Sequence, residues 1–531
     1  MRVMNNKLSG LVTGCVILAV LGLCATISLP SLLRARMGGS APGWQAPVFV
    51  ARGDWHPTAI DRENTERYAR VDENPFRSVV DEPLSTFSID VDTASYANVR
   101  RFLDRGRLPP IDAVRTEELV NYFRFDYPEP GPDTPLSVTT EVGECPWNSE
   151  SRLLLIGLKG RDLKQDALPP RNLVFLIDVS GSMDAPDKLP LLIKAMNLLV
   201  DRLTERDRVS IVVYAGAAGL ALPPTPGSEK AAIREALANL SAGGSTAGGE
   251  GILLAYRQAE RSYLHDGINR VILATDGDFN VGISSDATLT RLIEDKRRSG
   301  VFLSVLGFGE GNLNDSAMEK MADMGNGNYS YIDSIAEARK VLVKEAGATL
   351  VTLARDVKIQ VEFNPALVAE YRLIGYENRL LSAQDFGDDS KDAGEIGAGH
   401  TVTALYEWTP AGGVERPRRM DPLKYQVARV ARPDAASGEL ATVKLRYQPA
   451  AGGPSALMTV AVSPSTSATG ANLTWASSVA GFALLLRDSE YKGRASFAMV
   501  DELARDAIGA DPEGYRREFV GLVAKARDLA R

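Results

Sequence analysis

Asp178, Ser180 and Ser182 occupy alternate positions of the stretch LVFLIDVSGSMD, residues 173–184, directly after five apolar residues at 173–177. A carboxylate and two hydroxyls spaced this tightly suit three chemistries: a nucleophilic serine, a phosphate cradle or a metal site. The serine reading lacks the G-x-S-x-G elbow. It also lacks a base, because the chain has only three histidines and His265 alone lies in the same segment. The phosphate reading lacks a G-x-x-x-x-G-K-[ST] loop, and Gly307, Gly309 and Gly311 are too loosely arranged for a dinucleotide fingerprint. A phosphatase of the D-x-D-x-T kind needs an aspartate where Ser180 stands. Asp90-Val-Asp92-Thr93 comes closer, but its threonine is one position early, and a strand end followed by a helix capped by Asp92 or Thr93 explains it more simply. Metal binding fits best. A hard ion such as Mg²⁺ takes about six oxygens, and alternate residues after a strand turn their oxygens toward one point, with Gly181 expected to let the backbone curl back.

The elements that would position these groups alternate throughout residues 172–350. Strand-like apolar runs at 173–179, 208–214, 270–275, 302–308 and 329–332 are separated by helical patterns at 189–203, 229–240, 251–264, 289–299 and 316–324. Short apolar strands alternating with helices predict a doubly wound, mostly parallel sheet covered on both faces. Such sheets bind ligands beyond the carboxyl ends of their strands. Asp276, immediately after the run at 270–275, is at such an end, and Thr246 lies in the glycine-rich loop AGGSTAGGEG that precedes the next helix. Gly243, Gly244, Gly248 and Gly249 are expected to give that loop its tight path. Asp184 and Asp187 fit no second metal site, Asp187 reading as a helix start, while Asp278 and Asn280 read as loop residues, with tuning of the rim as the alternative. Glu250 is the sole candidate for a general base beside the site.

In order and loop context, Asp178-x-Ser180-x-Ser182, Thr246 and Asp276 resemble the metal-ion-dependent adhesion site of the von Willebrand factor type A domain. The resemblance implies that Ser180, Ser182 and Thr246 touch the ion, Thr246 only in some states, and that Asp178 and Asp276 act mostly through water. It implies Mg²⁺, with Mn²⁺ or Ca²⁺ as substitutes, and a partner protein that offers an Asp or Glu carboxylate. RTEELVNYFRFDYPEP, GINRVILATDGDFNVG, GNGNYSYID and KDAGEIGAGHTVTALYEW are similar to the bacterial YfbK-like proteins, so the likeness covers nearly everything after residue 84. It implies a surface or periplasmic binding protein of uncertain role, and no enzymatic activity is expected. The alternative is a metal-dependent hydrolase acting on phosphate esters at the same site.

A chain of 531 residues exceeds one core and predicts two to four domains. A net charge of −8 gives no nucleic-acid footprint. Cys145 is the single cysteine outside the first apolar segment, so neither a disulfide framework nor a Cys-type zinc site is expected. Arg2 and Lys7 precede an uncharged run at 8–33, long enough to cross a bilayer. Residues 1–36 therefore read first as a signal anchor, next as a lipoprotein signal ending at Cys15, and last as a cleaved signal peptide. The body is expected to be membrane-anchored and to face the periplasm or the outside. Residues 37–83, rich in proline and glycine, read as a linker. Residues 84–168 read as an N-terminal flank with helices at 94–103 and 113–125, 169–350 as the type A domain, 351–470 as a β-rich flank and 471–531 as a helical C-terminal region. Alternating strands before and after the central domain predict that it is inserted into one antiparallel β-sandwich.

Overall fold

The computed structural model describes residues 65–531 except 165–167, 245–247, 278–285, 346–349, 413–434, 436, 451 and 465–469. The expected anchor, most of the linker, and Thr246, Asp278 and Asn280 lie outside the described residues. The central sheet runs in the spatial order Tyr329–Ile332, Phe302–Phe308, Ile268–Thr275, Arg171–Asp178, Arg208–Tyr214 and Ala218–Pro226. All neighbours pair in parallel except the last, an antiparallel edge. The run from Leu173 to Ile177 is fully buried, as a strand covered on both faces requires. The edge strand was not expected from the sequence, because Pro223, Pro224 and Pro226 cannot donate to a ladder. An edge position tolerates them.

Strand pairing proves the insertion. Leu136–Glu144 and Arg152–Gly160, which precede the central sheet, join a sheet with Thr401–Pro410, Val368–Ile374 and Arg77–Ser78, and Arg152–Gly160 pairs antiparallel with Thr401–Pro410. The facing sheet orders Gly394–Gly397, Thr352–Phe363, Ala441–Pro449 and Ala456–Val462, with Leu84–Ser88 also on Thr352–Phe363. Phe87, Ile156, Val361, Val443 and Tyr406 share the core between them. The fold is thus a doubly wound α/β domain set into an antiparallel sandwich.

The C-terminal helices Ala471–Leu486 and Tyr515–Leu529 pack against the short helix Thr116–Asn121 and against Ala94–Asp104 respectively, Phe497–Asp506 packs on both Ala471–Leu486 and Tyr515–Leu529, and Phe123, Trp475 and Phe519 are in mutual edge contact. The helix expected at 113–125 is therefore one short turn-and-a-half, because Phe123, Phe125 and Tyr127 are drawn into this core instead. Among the described residues no helix is long and apolar enough to cross a membrane. The expected linker also ends early. Glu66 is buried on Arg101, the Thr65 and Arg67 amides donate to Gly311 and Leu313 carbonyls at 2.8 Å, and Arg77–Ser78 adds to the sandwich. These contacts are long-range, so a local composition of proline and charge does not reveal them.

Asp90 and Asp92 do not act as expected either. Thr93 makes no side-chain cap. Asp92 Oδ1 accepts from the Tyr329 amide at 2.8 Å, and both aspartates face Arg379, whose other nitrogen is 2.7 Å from Asp323. Nearby, Arg115 is bonded to Glu118 and Asp315 and lies 3.6 Å from Glu319. This buried seam joins the N-terminal segment, the central domain and the sandwich.

Glu395, on the short strand Gly394–Gly397, adds a pH response at the same seam. Burial, with the charges of Asp392 and Asp356, pushes its carboxyl up to about 8 against the pull of Arg270 and Arg297. A raised carboxyl holds in the folded state a proton that the unfolded chain releases, so stability falls as pH rises from about 4.5 to about 8. Glu395→Gln is expected to match the wild type near pH 4.5 and to exceed it at pH 8.5 by at least about 1 kcal/mol, with about 5 kcal/mol as the upper bound at about 1.4 kcal/mol per pH unit. Urea unfolding at both pH values checks this; equal curves at pH 8.5 would count against it.

Candidate metal centre

Asp178 is the last residue of its strand, and Asp276 follows directly on the neighbouring strand Ile268–Thr275. From the strand carrying Asp178 the chain winds to Arg208–Tyr214 on one side and to Ile268–Thr275 on the other. The two aspartates therefore flank the topological switch point, where side chains from diverging loops converge.

Asp178 is fully buried and tightly oriented. Its Oδ1 accepts from the Ser180 amide at 2.9 Å, and its Oδ2 from Tyr214 Oη at 3.2 Å and Thr275 Oγ1 at 3.3 Å. Burial raises its carboxyl above the ordinary range, opposed by the Ser180 hydrogen bonds, and the charge of Asp276 adds to the rise. Ser180 Oγ and Ser182 Oγ are 3.1 Å apart. Gly181–Asp184 is a short 3₁₀ turn that leaves Ser180 buried and Ser182 exposed. Gly181 departs from expectation. Its φ is not positive, and an added Cβ would meet nothing nearer than the Gly244 carbonyl at 3.6 Å. The residue needing left-handed backbone is Gly244, at φ 85°. The Gly243 amide donates to Val179 O at 2.8 Å and the Gly181 amide to Gly244 O at 3.1 Å. The loop carrying Thr246 is thereby tied to the serine loop up to its last described residue.

Asp276 is buried too, and its two oxygens differ. Oδ2 accepts from Lys188 Nζ at 2.8 Å, whereas Oδ1 has no hydrogen-bond partner among the described residues. Burial pushes this carboxyl up, but the hydrogen bond and charge of Lys188 outweigh it, with help from Ser182 and Asn312, and hold it below the ordinary range. Lys188 carries no signal in the sequence, where its neighbour Asp187 reads as the helix start. It begins the helix Leu189–Val200 and is buried, and its Nζ also donates to Asn312 Oδ1 at 3.0 Å. Gly309, at φ 68°, makes room for it, since a Cβ there would lie 2.2 Å from Lys188 Cε. Asn312 belongs to the loop that residues 65–67 brace. Gly277, at φ 109°, packs its backbone against Asn312–Asn314, where a Cβ would come within 2.5 Å of the Asn314 amide nitrogen. Asp187 lies 3.6 Å from Arg105, Asp184 is exposed, and Glu250 is exposed in the first turn of Gly248–Arg261.

A second convergence of carboxylates, Asp90, Glu118 and Glu319, has oxygens within 4.8 Å of one another. Arg115 and Arg379 already stand among them as counter-charges, so this is an ionic core. A cavity of about 400 Å³ that includes Arg171 and Asp207 opens at the opposite, amino edge of the central sheet and is remote from Asp178.

Fold, strand order and loop chemistry together define a von Willebrand factor type A domain protein. Residues 172–344 match the family model described as von Willebrand factor type A domain, and residues 62–155 match one described as von Willebrand factor. Residues 348–529 match the model for the C-terminal part of Uncharacterized protein YfbK. The chain is 44% identical over 490 residues to Uncharacterized protein YfbK of Escherichia coli strain K12, covering 91% of this chain and 84% of that one. It belongs to the YfbK family. Uncharacterized protein sll0103 of Synechocystis is 27% identical over 253 residues, which covers 45% of this chain and 57% of that protein. A solved structure of a von Willebrand factor type A protein from Catenulispora acidiphila covers 75% of this chain and 97% of its own, at 17% identity and a TM-score of 0.41. At the level of the domain, the function is protein interaction.

Proposed function

We propose that this protein is a membrane-tethered binding protein, facing the periplasm or the outside, that captures a partner through a divalent ion held by Asp178, Ser180, Ser182, Thr246 and Asp276. The observation that carries the reading is the buried Asp276 Oδ1, which has no hydrogen-bond partner among the described residues, beside Asp178 and the serine pair. A buried carboxylate oxygen with no donor is costly unless a cation or its water meets it. The serine hydroxyls, hydrogen-bonded to each other at 3.1 Å, stand close enough together that both could serve one hard ion. All five donors are hard oxygens, suited to Mg²⁺ or Mn²⁺, with Ca²⁺ as a substitute. A bound ion would supply an electron-poor position open to an outside carboxylate. The residues of the chain do the rest: three hydrogen bonds fix the Asp178 carboxylate, the 3₁₀ turn presents Ser182 to solvent, and Lys188 fixes one oxygen of Asp276. Tethering and sidedness rest on the uncharged run at 8–33 with Arg2 and Lys7 before it.

An immobilised full chain is expected to retain an envelope partner in Mg²⁺, release it in EDTA, and recover it when excess Mg²⁺ is restored. A partner that stays bound through the chelator wash would show that capture does not use the ion.

A further inference from the structure

We infer that Lys188 is a built-in counter-cation of the site, and that it makes divalent-ion binding depend on an anionic ligand. The inference rests on the metal-capture reading. Lys188 is only 6% exposed, its ammonium lies 2.8 Å from Asp276 Oδ2 and 3.0 Å from Asn312 Oδ1, and Gly309 leaves the space its stem fills. A lysine at a helix start runs against the helix dipole, and burying an ammonium is expensive. This placement is therefore poorly explained as ordinary stabilisation of the helix.

The charge balance supplies the explanation. Asp178 and Asp276 contribute two negative charges and Lys188 returns one, so the buried groups among the described residues offer a divalent ion a single net negative charge. The loaded site keeps one positive charge, and one carboxylate from a ligand would cancel it. Without Lys188 the ion would be neutralised by the two aspartates alone, binding more tightly and attracting an anion less. Because the ammonium and Asp276 are buried, water screens this balance weakly. Lys188 thereby acts as a positioning and tuning residue: it holds Asp276 Oδ2, leaves Oδ1 for the ion or its water, and moves affinity from the metal to the ligand.

Calorimetric Mg²⁺ titration of the full chain tests this, with Lys188→Met and Lys188→Gln as two independent neutral variants and melting in EDTA as the check of folding. Both variants are expected to bind Mg²⁺ about tenfold more tightly than the wild type. Acetate, as a carboxylate probe, should tighten Mg²⁺ binding several-fold in the wild type and about twofold or less in the variants, as reciprocal linkage requires. Folded variants whose Mg²⁺ affinity is unchanged or weaker would overturn the inference and leave the metal reading standing. A wild type that binds no Mg²⁺ would remove both.

Discussion

Arg115→Met is expected to lower the unfolding free energy by about 3–5 kcal/mol, the usual cost of removing one partner from a buried ionic group. Methionine nearly preserves the volume, so the loss is electrostatic. Arg115 is 2% exposed, and its guanidinium is bonded to Glu118 and Asp315, with Glu319 at 3.6 Å. Burial already pushes the Glu118 carboxyl up to about 8 while Arg115 pulls it down. Without the arginine these carboxyls must take up protons or unfold the seam. Combining Arg115→Met with Glu118→Gln and Asp315→Asn should recover more than half of the loss, because the stranded charges are then gone. Denaturant midpoints of the single and triple variants decide the matter. A single variant within about 1 kcal/mol of wild type would mean that the seam carries little of the fold's stability.

Asp178→Ala is expected to abolish stabilisation by Mg²⁺. At a free ion concentration one hundred times its dissociation constant the wild type should gain about 2.7 kcal/mol by mass action, seen as a rise in melting temperature that EDTA reverses. The alanine variant loses the carboxylate that orders Ser180 and meets Tyr214 and Thr275, so its melting temperature should be the same in Mg²⁺ and EDTA. An equal Mg²⁺ response in variant and wild type would sink the assignment of the ion to these loops.

The sequence by itself indicated the central domain and put Asp178, Ser180, Ser182 and Asp276, four of the five proposed metal donors, in the loops that follow its strands. Asp178, Ser180 and Ser182 follow a continuous apolar run, and Asp276 follows another, so local periodicity places them at carboxyl ends of parallel strands without knowledge of any contact. The insertion into a sandwich is legible for the same reason: the strand-like runs at 136–142 and 152–158 before the central domain, and the alternation at 357–363, 401–408 and 441–447 after it, are local signals. Only the tertiary structure decided what meets those elements. Lys188 lies 88 residues from Asp276 and 124 from Asn312, and nothing in its own neighbourhood distinguishes it from a solvated lysine. Arg115 likewise became a core residue, and Arg379 a largely buried one, through carboxylates distant in the chain, and residues 65–67 became a brace through Gly311 and Leu313. Apolar burial is written in periodic patterns that any short window shows. The pairing of buried charges depends on which distant segments the fold brings together, and therefore appears only when the chain is folded.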